Sequence, residues 1–278
     1  MTPDANRVRK NKLMIKLVAT DIDGTILIPD QPFTQEVKDC INKLKETGIK
    51  VVLVTGRMNA AAEIVADELQ LDTPLISYQG GLVKQGGKTI YEKYLSASDC
   101  DKIIDWAHKE NIHINLYNDD TLYSEDDDYE VQRYCKRQKV DYIVKDFSKI
   151  KKDKVNKILA IDYGNTDRID RLEVELQDVF PHLYIVKSAP FFLEFSNPDA
   201  SKYCAVKFLQ EYWGIKQEET LTIGDQNNDI ALLKAGGVKV AMANATEELK
   251  DIADYITDSV ENNGFVVAME ELVLTNQN

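Results

Sequence analysis

The stretch Leu13 to Thr25, LMIKLVATDIDGT, decides the fold. Leu13 to Thr20 is a nearly continuous apolar run, the pattern of a short strand buried on both faces. It stops at Asp21. Downstream, Thr34 is expected to cap a helix that carries Val37, Cys40, Ile41 and Leu44 on one stripe, with Gly48 as its stop. Lys50 to Val54 (KVVLV) reads as a second buried strand, Asn59 as the cap of a helix bearing Ala61, Ile64, Val65 and Leu69, and Pro74 to Ser77 (PLIS) as a third strand. Strand and helix alternating through short connections predict parallel βαβ units, hence an α/β fold with helices on both faces of an open sheet.

From Gly81 the pattern changes. Leu82–Val83 and Thr89–Tyr91 flank Gly86-Gly87 as a hairpin, a helix is expected from Ser98, and short strands then mix with helical stretches. This reads as an α+β module over 82–190, inserted between core segments 13–81 and 191–278, with 1–12 as a flexible N-terminal segment. After the insertion the βα pattern resumes. A helix capped by Asp199 is followed by strands at Thr220 to Ile223 and Val238 to Ala241.

The chain of 278 residues carries 34 Lys and Arg against 47 Asp and Glu, a net charge of −13. That balance argues against nucleic acid as a partner, because phosphate-backbone binding is built from clustered cations. No apolar run approaches the ~18 residues a membrane span needs. Four widely spaced cysteines without a C-x-x-C pair predict reduced, mostly buried thiols and a cytoplasmic setting.

The chemistry-bearing residues fall where open α/β sheets place their ligands, at the C-terminal ends of the predicted strands. Asp21 and Asp23 bracket Ile22, and Gly24 lets the backbone turn and present amides to an anion. Thr55-Gly56-Arg57 follows the second strand and offers a hydroxyl beside a close backbone approach. Lys202 opens a helix, where the macrodipole disfavours a cation, so it is read as serving an anion. Gly224-Asp225-Gln226-Asn227-Asn228-Asp229 supplies two carboxylates four residues apart, suited to a hard cation such as Mg2+. His108, His113 and His182 all lie in the inserted module, away from these positions. The acidic run Glu125 to Asp128 reads as a solvated loop or a helix start.

In order and spacing, D-I-D-G-T at 21–25, T-G-R at 55–57, Leu193-Glu194-Phe195 leading to Ser201-Lys202, G-D-Q-N-N-D at 224–229 and Ala241-Met242-Ala243-Asn244-Ala245 resemble the haloacid dehalogenase superfamily, in particular its Cof-type phosphatases with a large inserted C2-type cap. The resemblance implies a Rossmann-like core, a cap over the site, and Mg2+-dependent hydrolysis of a small phosphomonoester through an aspartyl-phosphate. Sugar phosphates are the leading substrates, with pyridoxal phosphate or flavin mononucleotide also expected. It further implies Asp21 as nucleophile, Asp23 as acid and base, and Thr55 and Lys202 as ligands of the phosphoryl oxygens, with Gly24, Gly56 and Asn228 on the phosphate side. For the metal it implies Asp21, the backbone carbonyl of Asp23, and Asp225, with Asp229 nearby. The same residues would serve a phosphomutase of sugar phosphates, or a sensor that binds a phosphorylated ligand without turnover.

Three positions depart from the pattern: Gln79 where an Asn-Gly pair is usual, Tyr203 where Gly follows the lysine, and Ala243 where Gly is usual. Gln79 and Tyr203 are expected near the pocket. The Tyr117 to Asp120 loop, or another part of the module, is expected to touch the leaving group.

Overall fold

The computed structural model describes residues 14–277; the expected flexible segment 1–12 lies outside them. The core runs through β1 (Leu17–Thr20), α1 (Gln35–Glu46), β2 (Lys50–Leu53), α2 (Asn59–Glu68) and β3 (Leu75–Ser77), then a hairpin, β4 (Leu82–Gln85) and β5 (Lys88–Glu92). The cap holds α3 (Ala97–Glu110), β6 (His113–Asn118), β7 (Thr121–Ser124), α4 (Tyr129–Gln138), β8 (Ile143–Val144), β9 (Val155–Ile161), α5 (Thr166–Val179), β10 (Tyr184–Ala189) and β11 (Phe192–Ser196). The chain returns to the core with α6 (Lys202–Trp213), β12 (Thr220–Gly224), α7 (Ile230–Ala235), β13 (Val238–Ala241), α8 (Glu247–Ile252), β14 (Tyr255–Ile256) and α9 (Gly264–Leu272).

The core sheet has the order β14-β13-β12-β1-β2 with every pair parallel, and a bridge from Val54 to Ile76 continues it to β3. Alternation along β1 sends Val18 to one face, against α1 and α9, and Leu17 and Ala19 to the other, against α6 and α7. Both faces are dry, which is why these strands read as continuous apolar runs.

The cap sheet has the order β10-β11-β9-β6-β7-β8. One face packs on α3 and α5 through Cys100, Ile103, Ile169 and Leu172. The other face, with Tyr117, Leu159 and Phe192, meets α4 and the core residues Met58, Ala61 and Tyr78, so a single apolar cluster joins cap to core.

The inserted boundaries need two corrections. Phe192–Ser196 pairs with β9 and β10 and belongs to the cap sheet rather than to a core segment beginning at 191. Conversely, the hairpin from 82 extends β3 into a three-stranded antiparallel sheet, and Val83 packs in the core cluster of Val52 and Ala205. Helix starts also differ. Ser96, not Ser98, caps α3, and Met58 precedes α2, whose first residue Asn59 turns its amide to Asp120 at 3.4 Å. Ser201, not Asp199, caps α6 by accepting from the Cys204 N–H at 3.2 Å.

Candidate active site

Four core strands end at one place. Asp21 follows β1, Thr55 follows β2, Gln79 lies just past β3 and Asp225 follows β12. Lys202, the first residue of α6, is wholly buried beneath them, and its Nζ lies 2.6 Å from both Asp21 Oδ1 and Asp229 Oδ1. Asp229 Oδ2 accepts from the backbone N–H groups of Asp225 and Gln226 at 3.0 and 3.1 Å, so the 224–229 loop folds back on its own last carboxylate. Asp225 accepts from the Thr25 hydroxyl at 2.9 Å and the Gln226 amide at 3.1 Å. A Cβ on Gly24, whose φ is +84°, would lie 2.3 Å from Asp225 Oδ2; only glycine lets the two loops meet.

Asp21, Asp225 and Asp229 are all buried, with ligand atoms within 4.8 Å of one another, and form the one such group able to hold a metal among the described residues. Three carboxylates face a single ammonium, an excess of two negative charges. Burial pushes the Asp21 carboxyl well above the usual carboxylate range; Lys202 pulls against that, while Asp229 and Asp225 add to it. Burial and Asp229 raise Asp225 to about 7. Burial also works against the Lys202 ammonium, but Asp21 and Asp229 outweigh it and raise its pKa. A buried site with uncompensated negative charge and oxygen-only donors fits a hard divalent cation.

Asp23 stands apart from this group. Its carboxylate is gripped by Arg57, Nε to Oδ2 at 2.8 Å and Nη2 to Oδ1 at 2.6 Å, so any part it takes in holding a metal falls to its backbone carbonyl. Thr55 Oγ1 accepts from the Arg57 N–H at 3.1 Å, which leaves the hydroxyl proton free for another acceptor. Asn228 donates to Gln79 Oε1 at 3.2 Å, and its own Oδ1 is buried without a partner. Asp21, Asp23, Thr55, Gly56 and Asn228 line one cavity of about 120 Å³, which Tyr134, Ser188 and Phe192 line from the cap.

This chain matches the haloacid dehalogenase-like hydrolase family over residues 18–269. It belongs to that family. It is 32% identical to YxeH of Bacillus subtilis (strain 168) over 276 residues, spanning 94% of this chain and 99% of that one. It is 27% identical over 268 residues to YcsE of the same organism, named as a 5-amino-6-(5-phospho-D-ribitylamino)uracil phosphatase, with 96% and 99% of the two chains covered. The crystal structure of TM0651 from Thermotoga maritima superposes with a TM-score of 0.78 at 30% identity, over 92% of this chain and 97% of that one. The hydrolase is therefore an enzyme of the superfamily's phosphatase type, with a Rossmann-like core and an inserted cap.

Among the expected specificity positions, Gln79 is buried and lines the cavity, whereas Tyr203 is 39% exposed and, like Ala243, does not line it. The Tyr117–Asp120 turn docks on the core instead of facing the cavity: Asp120 accepts from the Tyr78 hydroxyl at 2.7 Å. The histidines of the cap pair with Glu125, Asp128 and Asp99, and Asp128 also caps α4, so the acidic run is a helix start with its own partners. Sequence reasoning missed Arg57 as the partner of Asp23, and Lys157 and Glu194 as cavity residues. The available signal was a lone charge in each of two apolar strands, VNKILAI and FLEFS. All four cysteines are free; three are buried and Cys204 is partly so.

Proposed function

We propose that the hydrolase cleaves small sugar-like phosphomonoesters through an aspartyl-phosphate on Asp21, with Mg2+ as its cofactor. The observation that supports this most is the Lys202 ammonium placed 2.6 Å from Asp21, which lines the same cavity as Thr55. Lys202 and Thr55 offer donors to phosphoryl oxygens on the side where charge develops. Asp21 attacks phosphorus as the ester P–O bond breaks, and Asp23 gives its proton to the leaving oxygen. Asp23 then takes a proton from water as the water oxygen attacks phosphorus. The bond to Asp21 breaks, phosphate leaves, and both carboxyl groups return to their starting states. Asp21, Asp225 and the Asp23 carbonyl would hold Mg2+, with Asp229 orienting Lys202. When bound, the cation offsets the repulsion between an anionic nucleophile and an anionic substrate.

The polar lining of the leaving-group cavity favours a hydroxylated substrate. Ser188, Gln138 and Arg137 offer polar contacts beside the Phe192 ring. The substrate in the name of YcsE carries its phosphate on a ribityl chain, in keeping with such a leaving group. The test is inorganic phosphate release from a panel of sugar, polyol and cofactor phosphates, with Mg2+ or with EDTA. Turnover of sugar and polyol phosphates in Mg2+ alone is expected. Equal rates in EDTA would remove the metal from the proposal.

Two further outcomes follow from the geometry. Arg57→Lys replaces a two-pronged grip on Asp23 with a single donor, so kcat should fall about 10-fold, with little change in Tm because the pair is partly exposed. The second concerns pH. In the metal-free fold Asp225 sits at about 7, above its unfolded value, so its contribution to stability is present at low pH and lost as the pH rises through 7. Mg2+ requires the ionised group, so the Mg2+-induced rise in Tm should be larger near pH 8 than near pH 6. A rise independent of pH would count against Asp225 as a ligand.

A further inference from the structure

Lys157 on β9 and Glu194 on β11 form an ion pair at 2.9 Å with side chains only 2% and 4% exposed. Both come from the cap, and the mechanism above uses neither. Burying two charges is costly, and an apolar pair of the same volume would hold two cap strands together at least as well. What distinguishes this pair is where its remaining hydrogen bonds go, since each leads into the core. Lys157 Nζ donates to the carbonyl of Gly56 at 2.6 Å. Glu194 Oε1 accepts from Gln79 Nε2 at 3.0 Å, and Gln79 Oε1 accepts from Asn228.

The Gly56 carbonyl shares a rigid peptide plane with the Arg57 N–H, and that N–H holds Thr55 Oγ1 at 3.1 Å. A continuous path therefore runs from a cap ammonium through one peptide unit to the hydroxyl assigned to the phosphoryl group. The packing along it leaves no slack. A Cβ on Gly56 would lie 2.4 Å from Gln79 Nε2 and 3.2 Å from Glu194 Oε1. Gln79 itself is held at φ +57°, a left-handed conformation uncommon for its residue type, while its N–H donates to the carbonyl of Thr55 at 3.0 Å.

We propose that Lys157 and Glu194, with Gln79, are positioning residues of the phosphatase reaction: the seated cap fixes the Gly56–Arg57 peptide and through it the aim of the Thr55 hydroxyl. This rests on the reading of Thr55 as a phosphate ligand. Substrate binding and cap seating are then coupled through three side chains, and Gln79 serves as the link between cap and core.

The test compares Lys157→Met, Glu194→Gln and the double variant. Each single change strands a buried charge or its partner and is expected to lower Tm. The double variant removes both charges and keeps an acceptor for Gln79, so its Tm should return to within a few degrees of wild type. If the pair positions the loop, the double variant still loses about 10- to 100-fold in kcat/KM for an aryl phosphate and binds inorganic phosphate about 10-fold more weakly as an inhibitor. Its Mg2+-induced Tm shift should match wild type, because the Asp21, Asp225 and Asp229 group is untouched, and Lys157→Arg should recover most of the activity. A double variant with wild-type kcat/KM and phosphate inhibition would overturn the proposal, and so would loss of the Mg2+ response along with activity. Failure of the parent reading would look different, because wild type itself would release no phosphate.

Discussion

Asp21→Asn is expected to lower kcat by about 10⁴-fold or more while leaving the fold intact or stabilising it. The loss follows from removing the proposed nucleophile. Asp23 lies outside the Asp21, Asp225 and Asp229 group and away from Lys202, in the place proposed for the acid and base. The stability half follows from the site's electrostatics. Burial already pushes the Asp21 carboxyl well above its ordinary range, so the metal-free fold disfavours the ionised form, and a neutral amide of nearly the same shape still accepts from Lys202. Activity and Tm should thus move independently, or in opposite directions, when both are measured without metal. Wild-type rates in Asp21→Asn would sink the mechanism, and a large fall in Tm would sink the account of the charge excess.

Lys202→Met should do the opposite to stability. The substitution keeps the stem volume but removes the single cation between Asp21 and Asp229, leaving three buried carboxylates with no counter-charge. Stranding a buried charge typically costs about 3–5 kcal/mol, a large share of a domain's stability, so a Tm many degrees lower is expected without Mg2+. Added Mg2+ should restore a good part of that loss by replacing the missing charge. It should not restore turnover, because the phosphoryl oxygens still lack their donor, and kcat should stay at least about 10³-fold down. Full activity in Mg2+ would reduce Lys202 to a structural counter-ion.

Much of the core was legible in sequence because each central strand is a short apolar run ending in a polar motif, and that pattern survives whichever neighbours the strand pairs with. The ends of the cap were harder to read. Phe192–Ser196 has the same composition in either sheet, and its assignment depends on pairing with β9, about 35 residues away in sequence and invisible to local pattern. Two-residue β14 carries too little pattern to detect. In the site, Asp21, Asp225 and Asp229 could be read from strand-end placement and Lys202 from a cation set at a helix start, and the structure brings all four together. Arg57, Lys157 and Glu194 could not, because their roles depend on partners in other segments: Asp23 across the strand ends, and Gly56 across the cap–core joint. Asp199 and Asn59 were misread as caps for a related reason. At α6 both Asp199 and Ser201 stood within reach and Ser201 caps, whereas at α2 Asn59 is drawn to Asp120 and Met58 offers no side-chain cap.

The most direct test of the central claim is to trap the covalent intermediate. Enzyme quenched in acid during turnover of an aryl phosphate in Mg2+, then treated with borohydride, converts an aspartyl-phosphate to homoserine as hydride reduces the acyl carbon and phosphate departs. Homoserine is expected at position 21 by peptide mass spectrometry, and none at 23, 225 or 229. Steady phosphate release with Asp21 unmodified, or homoserine at position 23, would contradict it.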